Sequence, residues 1–503
     1  MATKQKEWKI MFEKITPEQA GISSKNVTKF IKALEKRGAT THGVLFMKGD
    51  KIFAEAYWKP FDKNFHHRMY SQTKSFVGVA IGLLEEEGKL SLDDKIVDYF
   101  PEKFDGEVQF YHKTQTIREM LMMSTAGGPS SWFISKEPDR TRQYFNEQRA
   151  LHPSNTLWAY DSPGSQVLCS LVEKLAGKPL LEYMKEKLFN EMNAFQTAKV
   201  LKTRNGDSWG DSAMICTLRD MAAFGRLVMN YGTWNGKRLM NEKYLKEATS
   251  KLVDNSSDAH YSAYHQGYGY QIWRVCGNAF AFVGMGDQLT ICYPDKDMIF
   301  VCASDNQGTS LIREMMFANL EDLFVDEMQD TPLPEDKEAQ AQLNELIESL
   351  ELRHAQGAND SPFRQELNGQ EYVCEENPMG ITKFSFVFKD ETSGEFRYTN
   401  AQGDKVIPFG VNHNVFGKFP QLGYSNQYGA TPTTDGFMYK DAVSLAWLEE
   451  KKLILSVQII DEYFGNLSAM FGFKGDEVYA RFSKTAEFFL TEYQGALIAR
   501  KAK

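Results

Sequence analysis

Strand patterns near the two ends of the first 325 residues constrain the fold most strongly. Residues 43–58, GVLFMKGDKIFAEAYW, hold two apolar runs around a Lys-Gly-Asp turn and predict a β-hairpin. Residues 268–304 predict three further strands, and a long helix follows them. This order predicts an α/β (α+β) fold with a mostly antiparallel sheet flanked by helices, and with a helical insertion at about 115–205.

The pattern changes after residue 363. Short segments of alternating apolar and polar residues, separated by Gly, Asn and Asp turns, continue to residue 503. They predict an all-β domain, either a small barrel or a sandwich. Residues 328–362 are charged and polar, and we interpret them as a linker with one exposed helix. The predicted domains are therefore 1–327 and 363–503, joined by 328–362.

Composition narrows the class of protein. The 503 residues carry a net charge of −9 and contain no basic block, which argues against nucleic acid as a partner. There is no apolar run of eighteen residues, so the sequence predicts no membrane span. The N-terminal segment MATKQKEWKIMFEKI alternates charged and apolar residues, unlike a signal peptide, and we expect a cytoplasmic protein.

A serine and a lysine stand three residues apart before an apolar run with helical spacing. If a helix begins near Ser71, then Ser71 and Lys74 lie on one face, one turn apart. The lysine could then activate the serine hydroxyl, and the backbone N–H groups of the helix N-terminus could hold a developing oxyanion. The alternative from these residues alone is a serine N-cap followed by an exposed lysine.

Three segments in order carry a resemblance to a known family. They are YSQTKSF at Ser71, WAYDSPGSQVL at Tyr160, and FVGMGDQLTICYP at Gly284. Together they resemble the class C-like branch of the serine β-lactamase and penicillin-binding-protein superfamily. That branch includes esterases, D-aminopeptidases and 6-aminohexanoate-dimer hydrolases. The resemblance spans roughly residues 15–325, and residues 363–503 resemble a β-rich accessory domain of some of these hydrolases.

The resemblance implies a role for each matched residue. Ser71 would be the acyl-forming nucleophile, Lys74 and Tyr160 would share the role of base, and the backbone N–H groups of Ser71 and Met285 would form the oxyanion hole. Further candidates for substrate contact are Ser162, Phe282, Gly284, Gln288 and Tyr268. The alternative is a core position for Phe282, and a core or surface position for Gln288 and Tyr268. Ser162 replaces an asparagine common in the family and could instead hold Lys74. Phe282 stands where a basic or polar residue is usual, which disfavours β-lactam-like carboxylate binding.

Two other catalytic patterns are weaker. The segment GDSWG matches the nucleophile elbow of α/β-hydrolases at Ser208, but a polar stretch precedes it and no helix follows directly. His66 and His67 are adjacent and belong to no spaced metal-ligand set, so we interpret them as loop or pocket-rim residues. No metal and no organic cofactor is expected.

The expected function is that of a serine hydrolase that acts on a small-molecule ester or amide through an acyl-enzyme. The acyl group passes to water or to another acceptor. The alternative is a non-catalytic binding protein, or a degenerate hydrolase of the same fold, that uses the C-terminal domain for recognition. No membrane partner is expected, and a homodimer is left open.

Overall fold

A computed structural model describes residues 12–128, 134–256, 263, 265–309, 311–423, 425–429, 436–487 and 489–503. Most of the N-terminal segment MATKQKEWKIMFEKI, on which the prediction of no signal peptide rests, lies outside these ranges. The chain divides into two compact units. The first is Met1–Glu351 with Gln427–Gly429, and the second is Leu352–Asn426 with Ala430–Lys503.

The first unit is built on a seven-stranded sheet in which neighbouring strands are antiparallel, except for one parallel edge pair. The predicted hairpin pairs Gly43 with Tyr57 and lies beside the predicted strands from the end of the domain. The prediction of a mostly antiparallel sheet is thus confirmed. In spatial order the strands are Glu13–Lys14, Lys51–Tyr57, Thr41–Lys48, Met298–Ser304, Gln288–Tyr293, Phe280–Gly284 and Trp273–Arg274.

Alternation along the Thr41–Lys48 strand shows how the sheet separates two helix layers. Leu45 and Met47 are buried in a core cluster with residues of the Thr73–Glu86 and Leu218–Met229 helices. Val44 and Phe46 belong to the opposite cluster, which packs against Ser24–Arg37 and Leu311–Leu320. Since successive strand residues point to opposite faces, one strand serves both cores.

The helices of the first unit cover both faces of this sheet. Among the described residues, no helix is both long and apolar enough to cross a membrane. Two small sheets also occur, His67–Arg68 with Met214–Cys216 and Lys199–Val200, and Thr233–Trp234 with Lys237–Arg238. The helices are Ser24–Arg37, Thr73–Glu86, Ile117–Leu121, Arg140–Glu147, Ser162–Ala176, Leu180–Met184, Asn190–Met192, Leu218–Met229, Glu242–Ala248, Leu311–Leu320 and Lys337–Ser349.

The predicted linker contains the Lys337–Ser349 helix, which begins at the Asp336 cap. This helix buries Ala339 and Leu343 and leaves most of its other side chains at least partly exposed. Leu343 joins the core cluster around Phe46. The helix therefore packs as part of the first unit, and the division between the units falls after Glu351.

The second unit is a β-barrel, which settles the predicted choice between a barrel and a sandwich. Within the described residues of this unit, nine strands close into a cylinder through a parallel contact of Gly410 and Val411 with Ser444 and Leu445. One short helix, Arg364–Leu367, precedes the strands. In spatial order these are Gly403–Val411, Ser393–Asn400, Lys383–Phe388, Tyr372–Cys374, Gly495–Lys501, Glu477–Ala486, Phe464–Lys474, Lys452–Ile460 and Lys440–Glu449, and Val415–Lys418 pairs with the last of them.

Candidate active site

Ser71 lies in a tight turn that opens the first unit's central helix. A 3₁₀ turn over Tyr70–Gln72 leads directly into the Thr73–Glu86 helix. Tyr70 has φ 47°, a backbone conformation that is uncommon for a residue with a side chain. The Thr73 hydroxyl donates to the Tyr70 carbonyl at 2.6 Å and accepts from the Met214 backbone N–H at 3.0 Å. These bonds hold the half-buried Ser71 at the helix N-terminus.

Lys74 reaches Ser71 as the spacing predicts. Its side chain is buried, and Nζ donates to Ser71 Oγ at 3.0 Å. The same amine donates to the Asp211 backbone carbonyl at 2.7 Å and lies 3.8 Å from the Asp211 carboxylate. A lysine side chain loses much rotamer freedom when it is fixed in this way, so the three contacts define a single position for the amine.

Tyr160 completes the cluster through its ring. Lys74 Nζ lies over the ring of Tyr160, 5.1 Å from the centroid. The ring stacks on Trp273 at 5.7 Å and 24°, and 40% of the tyrosine remains exposed. Within the described part of the chain, the Tyr160 hydroxyl makes no hydrogen bond. Ser71, Lys74 and the Tyr160 ring therefore lie in one cluster, and the tyrosine is partly exposed.

Two residues that the sequence did not single out support this cluster. Asp211 provides both the carbonyl and the carboxylate next to Lys74. Arg68 is fully buried, and its guanidinium donates to the Ser212 carbonyl at 3.0 Å and to the Ser212 hydroxyl at 3.3 Å. It also lies 4.2 Å from the Tyr70 ring centroid. Arg68 thus joins the segment that holds Lys74 to the turn that carries Ser71.

The strand that carries Gly284 approaches the Ser71 turn closely. A Cβ atom on Gly284 would lie 2.3 Å from the carbonyl oxygen of Met69, so only glycine fits at this position. Met285 follows in the turn to the next strand and is half-buried. The two backbone N–H groups predicted for the oxyanion hole therefore come from segments that are in direct contact.

Buried polar groups fix the turn that carries Met285. The Gln288 amide donates to the Met285 carbonyl at 3.1 Å and accepts from the Ser304 N–H at 3.2 Å. Arg313 Nε donates to the Asp287 carboxylate at 2.7 Å. Burial raises the pKa of Asp287, and the Arg313 guanidinium opposes that rise. This turn is therefore held by the end of the neighbouring strand at Ser304 and by the Leu311–Leu320 helix at Arg313.

Replacing Gly284 with alanine is expected to lower the rate of the proposed reaction by about tenfold or more, because small displacements at a reacting centre are costly. The new methyl group must displace either this strand or the Met69 carbonyl, and both flank Ser71. Gly106→Ala is the matched control, since a Cβ there meets nothing within 4 Å. Steady-state kinetics of both variants test this expectation, and equal rates would show that the close approach does not matter.

The remaining residues that were predicted to bind substrate lie deeper than Ser71. Phe282 has no exposed surface and packs 5.1 Å from Phe224 in the core. Gln288 is likewise fully buried, and its amide is occupied by the turn described above. Burial raises the pKa of Tyr268 well above its usual value. The structure does not bring the side chains of Phe282 and Gln288 to an accessible surface.

Ser162 is the first residue of the Ser162–Ala176 helix and is half-buried. Asp161 caps this helix by accepting from the Gly164 N–H at 3.0 Å, and it also accepts from the Thr125 hydroxyl at 2.8 Å. Burial raises the pKa of Asp161. Among the described residues, the hydrogen-bond partners of Lys74 are Ser71 and Asp211. The role of holding Lys74, which was one alternative for Ser162, therefore belongs to Asp211.

The interpretation of the adjacent histidines as loop or rim residues is wrong for His67. It is buried in a short strand, and His67 Nε2 lies 2.7 Å from His42 Nδ1. Burial lowers the pKa of both imidazoles, that of His42 to about 3. Within the described ranges, no group of three or more His, Cys, Asp or Glu side chains is arranged to hold a metal ion.

Ser208 lacks the setting of a nucleophile elbow. It is buried in the loop between the Lys199–Val200 and Met214–Cys216 strands, and its backbone N–H donates to Glu173 at 3.3 Å. The next helix begins at Leu218, ten residues later. An elbow needs a strand directly before the serine and a helix directly after it, and Ser208 has neither.

Comparison with known proteins gives the family to which a chain of this fold belongs. The family model described as Beta-lactamase matches residues 27–320, which is more than half of the chain. The chain therefore belongs to the β-lactamase family of hydrolases.

Curated relatives are distant. A "6-aminohexanoate-dimer hydrolase" of Paenarthrobacter ureafaciens is 22% identical over 47% of this chain and 65% of its own length, so the match covers slightly less than two thirds of that relative. An "N-acetylmuramyl-L-alanine amidase" of Bacillus subtilis (strain 168) is 27% identical over 25% of this chain and 32% of its own.

A solved structure shares the fold over part of the chain. It is described as "Putative 6-aminohexanoate-dimer hydrolase from Bacillus anthracis" and aligns with a TM-score of 0.52 at 18% identity. The alignment covers 63% of this chain and 87% of that one. At this identity the similarity establishes the fold alone.

Proposed function

We propose that the protein is a serine hydrolase that cleaves an ester or amide of a small molecule through a covalent acyl-enzyme. The observation that carries this proposal is the 3.0 Å contact between Lys74 Nζ, on a buried side chain, and Ser71 Oγ at a helix N-terminus. A serine hydroxyl is a weak nucleophile until a neighbouring group accepts its proton. Lys74 and Tyr160 share that role in the proposal.

In the acylation step, Ser71 Oγ forms a bond to the carbonyl carbon and gives up its proton to the Lys74–Tyr160 pair. The carbonyl electron pair moves to oxygen, and the N–H groups of Ser71 and Met285 stabilise the oxyanion. The tetrahedral species then collapses, and the leaving alcohol or amine takes the proton. Water repeats the sequence on the acyl-enzyme, which releases a carboxylic acid and restores the Ser71 hydroxyl.

The family and its named relatives support hydrolysis as the reaction. One relative is named as a hydrolase of a 6-aminohexanoate dimer and another as an amidase. The Phe282 side chain lies in the core, so it offers no polar group to a substrate carboxylate at that position. We therefore place esters and amides ahead of β-lactams as substrates.

A substrate panel tests this proposal. The panel contains p-nitrophenyl esters, aminoacyl p-nitroanilides and a chromogenic cephalosporin, each assayed with purified full-length protein. We expect turnover of at least one ester or anilide, and a slower reaction or none with the cephalosporin. Absence of turnover of every ester and anilide would contradict the hydrolase and favour a non-catalytic binding protein.

A further inference from the structure

Five aromatic side chains form one ring cluster beside the proposed nucleophile. Their centroids lie 5.1–6.4 Å apart for the contacting pairs. We name this cluster the aromatic wall, and it consists of Trp158, Tyr160, His265, Tyr268 and Trp273. Tyr160 links the wall to Lys74, whose amine lies over its ring. The wall therefore begins next to the reacting hydroxyl of Ser71.

The inner part of the wall is a rigid support. Trp273 is almost fully buried and contacts the other four rings, with Tyr160 stacked on it at 5.7 Å and Tyr268 edge-on at 5.1 Å. Its backbone pairs with Ala281 of the sheet. Because strand pairing fixes Trp273, the orientation of Tyr160 is fixed as well.

The outer part of the wall presents uncharged surface. Trp158 is half-buried and Tyr160 is 40% exposed, and together with Leu157, which adjoins them in the chain and is 67% exposed, we name them the outer wall. Asp161 directly follows, but its carboxylate turns inward to cap a helix and is almost completely buried. The segment from Leu157 to Tyr160 therefore offers apolar and aromatic surface without a charged side chain, and its Tyr160 ring lies next to Lys74.

We propose that the outer wall binds an apolar group of the substrate, an alkyl chain or an aromatic ring attached to the ester or amide that Ser71 attacks. This inference rests on the proposed function and narrows its substrate class. Apolar area removed from water by the wall would stabilise bound substrate and transition state, and flat rings would add stacking. Such a site selects by size and hydrophobicity rather than by charge.

Two ester series measure this selectivity. The first keeps p-nitrophenol and lengthens the acyl group from acetyl to hexanoyl. The second series keeps the acetyl group and compares benzyl acetate with ethyl acetate. The acid that hydrolysis releases is titrated in a pH-stat. We expect kcat/KM to favour the larger apolar group by about tenfold or more in at least one series. Equal kcat/KM values in both series would overturn the inference.

Three variants assign the selectivity to the wall. Trp158→Ala is expected to reduce the preference at least about fivefold, since it removes the half-buried ring. Trp158→Phe is expected to keep it, because the indole N–H makes no hydrogen bond with the described residues and only the ring is needed. Trp234→Ala is the matched control, a half-buried tryptophan outside the wall. A preference that is unchanged in Trp158→Ala would overturn the assignment.

Failure of this inference is distinguishable from failure of the proposed function. Hydrolysis of p-nitrophenyl acetate by the wild-type protein reports the Ser71 chemistry, whatever the wall does. If acetate is hydrolysed and neither series shows a preference, the wall assignment alone is wrong. If neither an ester nor an anilide is hydrolysed, both the inference and the proposed function fail.

Discussion

Replacing Ser71 with alanine is expected to lower kcat/KM by about a thousandfold or more, because the proposed reaction has no covalent step without this hydroxyl. The substitution removes one oxygen atom from a half-buried position. That oxygen accepts from Lys74, and Thr73 holds the turn independently of it. The fold should therefore persist, and the loss should appear in the rate rather than in the amount of folded protein.

The matched control for this variant is Ser208→Ala. Ser208 is also a serine of the first unit, but it lies in a buried loop and carries the rival nucleophile motif. It should leave the rate within about twofold of wild type, as for a residue remote from the reaction. A Ser71→Ala protein that turns over substrate at the wild-type rate would refute the assignment of Ser71 as the nucleophile. A loss of rate confined to Ser208→Ala would identify Ser208 as the nucleophile instead.

Replacing Lys74 with methionine is expected to lower the acylation rate by about 10²- to 10⁴-fold, the usual contribution of a positioned acid or base. Methionine has nearly the same length and suits the buried position, but it cannot bind Ser71 Oγ or the Asp211 carbonyl. It also leaves the buried Asp211 carboxylate without the amine at 3.8 Å. Stopped-flow measurement of the first turnover of a p-nitrophenyl ester reports this rate directly.

Stability must be measured beside the rate for Lys74→Met, because loss of a partner to a buried carboxylate can cost about 3–5 kcal/mol. Urea denaturation gives this value, and the kinetics are compared at a temperature where the variant remains folded. Lys113→Met is the control, since that lysine is partly exposed and pairs with Glu107 at the surface. If folded Lys74→Met matches the wild-type first-turnover rate, Lys74 is not part of the base that accepts the Ser71 proton.

Much of the fold follows from local patterns in the sequence. The 43–58 hairpin and the strands of 268–304 alternate or run apolar in the way that strands of a covered sheet do. The closure of the barrel is different, because it depends on the contact of Gly410 and Val411 with Ser444 and Leu445. No local pattern specifies this long-range pairing, so the sequence left a barrel and a sandwich as alternatives.

The candidate site divides in a similar way. The i, i+3 spacing of Ser71 and Lys74 is a property of one helix turn, and local sequence predicts it. Asp211 lies far from Ser71 in the sequence, and its backbone carbonyl accepts from Lys74, while Arg68 lies just before Ser71 and donates to the backbone carbonyl of Ser212. Backbone groups carry no residue signature, so sequence reasoning missed both. Sequence reasoning also missed Trp273, because its contact with the Tyr160 ring depends on long-range strand pairing with Ala281.

The central proposal is that the Ser71 hydroxyl is activated by the groups around it. Incubation of the full-length protein with a fluorophosphonate probe, followed by intact-mass measurement and peptide mapping, tests this most directly. We expect a single adduct on Ser71 that is lost in Ser71→Ala and kept in Ser208→Ala. An unlabelled wild-type protein, or an adduct that maps to another serine and persists in Ser71→Ala, would contradict it.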